Sequence, residues 1–173
     1  VRGTVTGWGV DPGIWEVTEG IDVDGDDSAD TGIKTRTVPF ERTTSIDFEF
    51  PPRRTTIITM KLKKEGVPYW KRPDLGIGIE DIHSNNNTVT VTVHNLGSVD
   101  SPATFLALID RSGTVIASGP VPPLKAPLDF KPKTASVQLT IRSGTSIHNC
   151  IIVIDPKNKL TEITKMNNTV NIP

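Results

Sequence analysis

A dense group of aspartates stands near the start of the sequence, in the stretch IDVDGDDSAD from Ile21 to Asp30. Carboxylate oxygens are the hard ligands that Ca²⁺ prefers, and alternate positions along a loop allow such side chains to curl around one ion. Carboxylates packed together also repel one another unless a cation neutralises them. The stretch therefore predicts a calcium site, the only cofactor site that we predict, formed by Asp22, Asp24, Asp26 and Asp30.

The same loop differs from an EF-hand loop, because Asp27 occupies the position of that motif's glycine and no bidentate glutamate follows. The alternative is a solvated turn between two strands, in which Gly25 adopts a positive φ angle. Both interpretations place the aspartates on a loop that joins strands. They differ in whether an ion is bound.

Three aromatic residues, Trp15, Tyr69 and Trp70, are candidates for stacking on the rings of a carbohydrate. Tyr69 and Trp70 lie in KKEGVPYWKRPDLG, where two prolines, two glycines and four basic residues disfavour both strand and helix. Aromatic residues at such a junction can instead pack two halves of a chain against each other. The sequence leaves sugar binding and packing open.

Other kinds of chemistry have little support in the sequence. The motifs of serine hydrolases, phosphate-binding loops and zinc hydrolases are not found, and the three histidines, His83, His94 and His148, fall on separate predicted strands. The single cysteine, Cys150, lies in the apolar stretch HNCIIVI, which favours a buried and unreactive thiol. We therefore predict that the chain is not an enzyme.

The charge balance excludes two classes of partner. With 19 basic and 20 acidic residues, the chain has no field of one sign to attract nucleic acid or an anionic membrane. No apolar run approaches the ~20 residues of a membrane-spanning helix, so membrane insertion is not expected. The chain opens in what reads as a strand and without an initiating methionine, which predicts a piece of a longer protein whose other domains are partners.

Apolar residues recur at every second position along the chain, as in TSIDFEF, TTIITMKL, TVTVTVHN and ASVQLTI. Fourteen glycines and fourteen prolines indicate many turns between such strands. The pattern predicts an all-β fold with two β-sandwich modules, residues 1–64 and 74–173, joined by a linker at 65–73. In the second module, about seven short strands, the first near 74–82, indicate an immunoglobulin-like sandwich.

Three motifs of the second module resemble the bacterial and archaeal cell-adhesion-related domain called CARDB. They are PDLGI, then TVTVTVHNLGS with Asn95 and Gly97, and IDPKNKLTEITKMNNTV, whose matching positions are Asp155, Pro156, Asn158, Glu162, Asn167 and Asn168. The resemblance covers about 74–173 and implies a seven-stranded, non-catalytic sandwich of secreted or cell-surface proteins. The middle stretch, SGPVPPLKAPLDFKPKTAS, lacks a glycine that often precedes the family's next strand.

The residues of the last motif also have a physical interpretation as turn chemistry. Asp155 and Asn158 can bond nearby backbone N–H groups, and Pro156 presets its own φ angle. We expect Asn167 and Asn168 to act in the same way, and Glu162 to face solvent or to accept a backbone hydrogen bond. The motif is therefore interpreted as a structural element and not as a ligand site.

The first module is less informative. WGVDPGIWEVTEGIDVDGDD and the following FERTTSIDFEFPPRRTTIITMKL resemble the C-terminal β-domains of secreted glycoside-hydrolase-like proteins, over about 1–64.

Together these features predict an extracellular or cell-surface module for adhesion, protein–protein interaction or spacing, in the C-terminal part of a larger protein. One alternative is a carbohydrate-binding appendage of a secreted glycoside hydrolase; another is a subunit of a self-assembling surface filament. The expected external partner is a surface protein or a polysaccharide.

Overall fold

A computed structural model describes residues 1–173 and contains thirteen strands and two short 3-10 helices. The all-β prediction is confirmed. No helix is long and apolar enough to cross a membrane. The 3-10 helices are Tyr69–Lys71 and Ile79–Asp81, and the strands are β1 Arg2–Thr6, β2 Gly13–Asp22, β3 Thr31–Phe40, β4 Ser45–Glu49, β5 Thr55–Glu65, β6 Leu75–Gly76, β7 Ile82–Asn85, β8 Thr88–Asn95, β9 Thr104–Ile109, β10 Val115–Val121, β11 Thr134–Thr140, β12 Ile151–Ile154 and β13 Thr169–Asn171.

The chain divides into two compact units, Val1–Pro68 and Tyr69–Pro173. Strand β5 ends at Glu65 and the first unit ends at Pro68, so residues 66–68 connect the strand to the boundary between the units. Part of the segment predicted as a linker, 69–73, lies within the second unit, where Arg72 is buried.

The first unit contains two antiparallel sheets of different size. Three long strands pair in the order β3-β2-β5, and the shorter β1 and β4 pair with each other. Alternation along β2 and β4 directs Val17, Ile46 and Phe48 inward, where they form a small core with Phe40. A core of four buried side chains is small, and most of the first unit's side chains remain partly or fully exposed.

The second unit encloses a larger core between two sheets. One sheet has the order β10-β9-β12-β13, and in the other β8 pairs with β11 on one side and with β6 and β7 on its other side. Along β8, the valines 89, 91 and 93 are fully buried whereas the threonines between them are half-buried. They meet Leu106 and Leu108 of β9 and Ile152 of β12. This apolar layer holds the two sheets together.

The strand predicted near 74–82 is interrupted. Strand β6 pairs with the end of β8 at Asn95 and His94, and β7 pairs with its beginning, from Val91 to Thr88. The 3-10 helix Ile79–Asp81 separates them, and its N-terminus is capped where the Asp81 carboxylate accepts the Gly78 N–H at 2.7 Å. The same carboxylate contacts Nε2 of His94 at 2.8 Å. This local polar chemistry competes with the ladder, which sequence alternation alone could not show.

The packing of β11 generates a first prediction. Leu139 is buried between the sheets, and its neighbour Gln138 faces solvent. Replacing Leu139 by alanine removes buried methyl groups and leaves a cavity, so we expect the second unit to lose roughly 3 kcal/mol of unfolding free energy. Urea denaturation followed by circular dichroism measures this loss. Gln138→Ala is the matched control, and an equal loss in both variants would contradict the assigned core.

Candidate functional site

The aspartate-rich stretch forms the loop between β2 and β3. Gly25 has a φ angle of +84°, as predicted for a turn. The buried Asp22 carboxylate accepts the backbone N–H groups of Gly25 at 2.7 Å and of Asp27 at 3.2 Å. The Val23 N–H donates to the Asp30 carboxylate at 2.7 Å, which joins the two ends of the loop. The loop is therefore held by its own carboxylates.

Three of the four predicted calcium ligands are brought together. One carboxylate oxygen from each of Asp22, Asp24 and Asp30 lies within 4.8 Å of the others. Asp26 is not in this group, and its Oδ1 accepts the Ser28 N–H at 2.8 Å. Hard oxygen donors at this spacing suit Ca²⁺, and their mutual repulsion would be relieved by a cation. Both carboxylate oxygens of Asp22 and Oδ2 of Asp30 already accept backbone N–H groups, so each of these oxygens would have to bind the ion with its remaining lone pair.

The predicted carbohydrate-binding aromatics have different environments. Trp15 is half-buried, packs against the core of the first unit and donates its Nε1–H to the Asp11 carbonyl at 3.1 Å. Tyr69 has the Arg72 guanidinium over its ring, 4.8 Å from the centroid. Trp70 is 65% exposed and has the most accessible side chain of the three. Trp8 is also exposed, with the Arg42 guanidinium 5.0 Å from its ring centroid.

The polar residues of the C-terminal motif converge on one ammonium group. Lys165 Nζ lies 3.1 Å from the Asp155 carboxylate and 3.3 Å from that of Glu162, whose side chains are 3% and 0% exposed. Glu162 also accepts the Leu75 N–H at 3.0 Å and the Asn168 amide at 2.7 Å. It is buried, so the expectation that it faces solvent is wrong and the expected backbone bond is confirmed. Lys165 was not predicted to belong to this cluster. Its position three residues after Glu162 is the sequence feature that could have indicated an ion pair between them.

The turn that begins the motif matches the prediction in part. Asp155 and Asn158 have φ angles of +49° and +50°. Asp155 Oδ2 accepts the Leu160 N–H at 2.8 Å, as expected of a turn-forming side chain. Burial acts to raise the pKa of Asp155, but the amides of Leu160 and Lys159 and the Lys165 ammonium hold that pKa below its ordinary value. Asn158 contributes through its tolerance of the left-handed region.

The remaining motif positions also serve the fold. The Asn95 side chain accepts the Gly97 N–H and donates to the carbonyls of Val99, Leu124 and Lys125. A Cβ at Gly97 would lie 2.4 Å from the Asp74 backbone nitrogen, so only glycine allows this approach. Burial raises the pKa of Asp74 above its ordinary value, although the Asn167 amide bonds the carboxylate at 3.4 Å.

The other candidate groups do not assemble into a reactive site. Cys150 is buried, and burial raises the pKa of its thiol, which disfavours the nucleophilic thiolate. His94 contacts Asp81, while His83 lies on β7 and His148 lies before β12. The burial of Cys150 in the core agrees with the prediction of a buried thiol.

Comparison with known proteins gives one family and two similar structures. The CARDB family profile matches residues 72–172, more than half of the chain. A domain of a proposed cell surface protein from Methanosarcina acetivorans, solved in solution, is 23% identical, with 58% of this chain and 89% of that chain covered and a TM-score of 0.46. A β-glucuronidase from Ruminococcus gnavus, in complex with an N1-substituted uronic isofagomine, is 11% identical, with 99% of this chain and 36% of that chain covered and a TM-score of 0.32. No curated protein matches the chain in sequence.

The buried ion pairs generate a second prediction. Replacing Lys165 by methionine leaves the carboxylates of Asp155 and Glu162 buried without their cation. Removing one partner of a buried pair is strongly destabilising, so we expect a loss of roughly 3 kcal/mol in unfolding free energy at neutral pH. Lys159→Met removes an exposed, unpaired ammonium from the same segment and is the control. Equal denaturation midpoints for wild type and Lys165→Met would show that the pairs do not stabilise the unit.

Proposed function

Because the family profile matches more than half of its length, the chain belongs to the CARDB family, and we propose that it is a non-catalytic extracellular module for adhesion through protein–protein contacts. The family match is the observation that carries this proposal. In the proposal, the chain is the C-terminal part of a larger secreted or cell-surface protein, and the parent's other domains are partners together with a protein on a surface.

The use of the motif side chains supports a non-catalytic role. Asp155, Glu162 and Asn168 are buried and bonded to backbone groups, to Lys165 or to one another. A carboxylate that acts on a substrate must reach it, and these carboxylates are enclosed by the protein. The motif stabilises the second unit, which leaves recognition to exposed surfaces.

We also propose an immunoglobulin-like arrangement for the second unit. If β6 and β7 are counted as one interrupted strand, seven strands form the two sheets, three in one and four in the other. Sandwiches of this kind expose loops at both ends of the strands, and these loops are suited to contacts with a partner.

The adhesion proposal is tested with the whole chain and cells of the organism that encodes it. We expect fluorescently labelled chain to bind these cells saturably in flow cytometry, and protease treatment of the cells to remove most of the binding because the receptor is a protein. A chain denatured by heat is the control. Absence of saturable binding would contradict the adhesion proposal and leave spacing between domains as the role of the module.

Carbohydrate binding is the second candidate function, and the exposure of Trp70 favours it. In the same experiment, the receptor is a polysaccharide if binding survives protease treatment of the cells and is lost in the Trp70→Ala variant. The partly buried Trp15 gives the matched comparison, because Trp15→Phe should leave sugar stacking at Trp70 unchanged.

We propose calcium as the cofactor of the first unit, held by Asp22, Asp24 and Asp30. Extracellular calcium modules have dissociation constants of about 10⁻⁴–10⁻³ M, and a ligand at ten times its dissociation constant stabilises the folded state by about 1.4 kcal/mol. Millimolar CaCl₂ should therefore raise the melting temperature of the first unit by several degrees, measured by calorimetry. Mg²⁺ should have a smaller effect, because it keeps its waters and requires octahedral geometry.

The variants separate an ion site from a general effect of salt. Asp24→Asn with Asp30→Asn should abolish the calcium-dependent rise, whereas Asp27→Asn should retain it. Asp27 lies outside the group of three and has a φ angle of +65°, which asparagine tolerates. The same rise in all variants, or no rise in the wild type, would overturn the calcium proposal.

A further inference from the structure

Two tripeptides of the second unit have the pattern Asn-x-Thr, in which the asparagine of an exported protein can accept a carbohydrate chain on its side-chain nitrogen. They are Asn86-Asn87-Thr88 and Asn167-Asn168-Thr169. The pattern by itself does not distinguish them, since both have threonine two residues after the asparagine. Their environments in the fold differ, and this difference selects one of them.

Asn86 lies at the tip of a hairpin. Asn85 of β7 pairs with Thr88 of β8, so Asn86 and Asn87 are the two residues of the turn. Asn86 is exposed and has a φ angle of +49°, which asparagine tolerates better than most residues. Its side chain forms no hydrogen bond in the structure. The amide nitrogen of Asn86 is therefore free to be modified.

The contacts that hold this turn in place belong to the backbone. The Asn87 carbonyl accepts the Ile141 N–H at 2.8 Å, which ties the turn to the residue that follows β11. The Asn85–Thr88 pair closes the turn through the ladder of β7 and β8. A glycan on the Asn86 side chain would extend into solvent and would break none of these contacts.

Asn167, in contrast, is used by the fold. Its Nδ2 donates to the Asp74 carboxylate at 3.4 Å, its carbonyl accepts the Ile77 N–H at 3.0 Å, and its Oδ1 is buried. A Cβ at Gly76 would lie 3.0 Å from Nδ2, so this nitrogen is packed against the backbone of β6. A sugar on Nδ2 would need the space that Asp74 and β6 occupy.

We propose that Asn86 is a site of N-linked glycosylation and that Asn167 stays unmodified. The Asn86 amide nitrogen attacks the anomeric carbon of an oligosaccharide that is linked to a polyprenyl phosphate, the glycosyl donor of the cell. A bond forms between this nitrogen and the anomeric carbon, while the bond from that carbon to the phosphate oxygen breaks and the phosphate leaves with the electron pair. The amide gives up one proton to a base of the transferase.

The same selection is expected whether modification precedes or follows folding. In the unfolded chain both asparagines are accessible, but a glycan on Asn167 would prevent the C-terminal motif from packing against β6, and such a chain would not reach the native state. In the folded chain the Asn167 nitrogen is enclosed. Native chains should therefore carry a glycan at Asn86 alone.

The inference goes beyond the adhesion proposal and rests on one part of it, the export of the chain. The chain isolated from the organism that encodes it tests the inference, by mass spectrometry of its peptides with electron-transfer fragmentation, which keeps a glycan on its residue. We expect most copies to carry the mass of an oligosaccharide on Asn86 and none to carry it on Asn167. The chain made in a cytoplasm without the transferase is the control and should be unmodified at both residues.

Variants made in the same organism separate the pattern from the asparagines themselves. Thr88→Ala should abolish the modification of Asn86, and Thr88→Ser should retain it because serine completes the same pattern. Asn85→Gln changes an exposed asparagine outside the pattern and should leave the glycan in place. Thr169→Ala removes the second pattern without changing Asn167, so the glycan mass of the chain should stay the same.

Urea denaturation of the unmodified chain compares the two asparagines directly. Asn86→Asp removes the accepting nitrogen and keeps the left-handed backbone accessible, so its denaturation midpoint should equal that of the wild type. Asn167→Asp places a second carboxylate beside Asp74, and repulsion should lower the midpoint at neutral pH. Equal midpoints for these two variants would show that Asn167 is not enclosed and would overturn the selection of Asn86.

Three results of the mass analysis would also overturn the proposal: an unmodified Asn86 in the isolated chain, a glycan on Asn167, or a modification of Asn86 that persists in Thr88→Ala. Cell binding is measured separately. An unmodified chain that binds cells leaves the adhesion proposal standing, whereas a glycosylated chain that binds no cells contradicts adhesion alone. Failures of the two proposals can thus be distinguished.

Discussion

One ammonium group, that of Lys165, pairs with two carboxylates that are enclosed within the second unit. Burying a charge without a partner is costly, and Lys165, together with the N–H groups that bond Asp155 and Glu162, offsets that cost. Glu162 also bonds the backbone of β6 and the side chain of Asn168, and thus ties the first strand of the unit to the segment that enters its last strand. Polar groups thus link β6 to the C-terminal motif, and apolar groups hold the two sheets together.

The use of the motif side chains in folding limits where on the chain a partner can bind. Motif side chains that are occupied in folding cannot also contact a partner, so an interaction must use surfaces that the fold leaves free. The structure has several of these, including the aspartate loop of the first unit and the exposed Trp70 of the second. All of them lie on connections or sheet faces that a rigid β framework positions, as is usual for proteins of this architecture. The fold alone does not choose among their roles.

The sequence predicted the strands of the backbone better than the partners of the polar side chains. Strands β4, β5, β8 and β11 were predicted because alternation has a period of two and one face of each is less exposed than the other, which is a local signal. The interruption between β6 and β7 was missed, since it depends on hydrogen bonds of Asp81 to Gly78 and to His94 on another strand. At the aspartate loop, the sequence indicated four ligands, and only the turn geometry directed Asp26 toward Ser28 instead.

The sequence by itself determined the all-β class, the family and the turn at Gly25, because alternation, motif order and glycine at a positive φ angle act within a few residues. Tertiary structure decided the fate of each polar side chain, since burial and partners arise from segments far apart in the chain. Glu162 became a buried link to Leu75, 87 residues away, and Trp15 packed against the core of the first unit. Local pattern specifies which elements form, whereas the energies of burial and charge pairing depend on which elements meet.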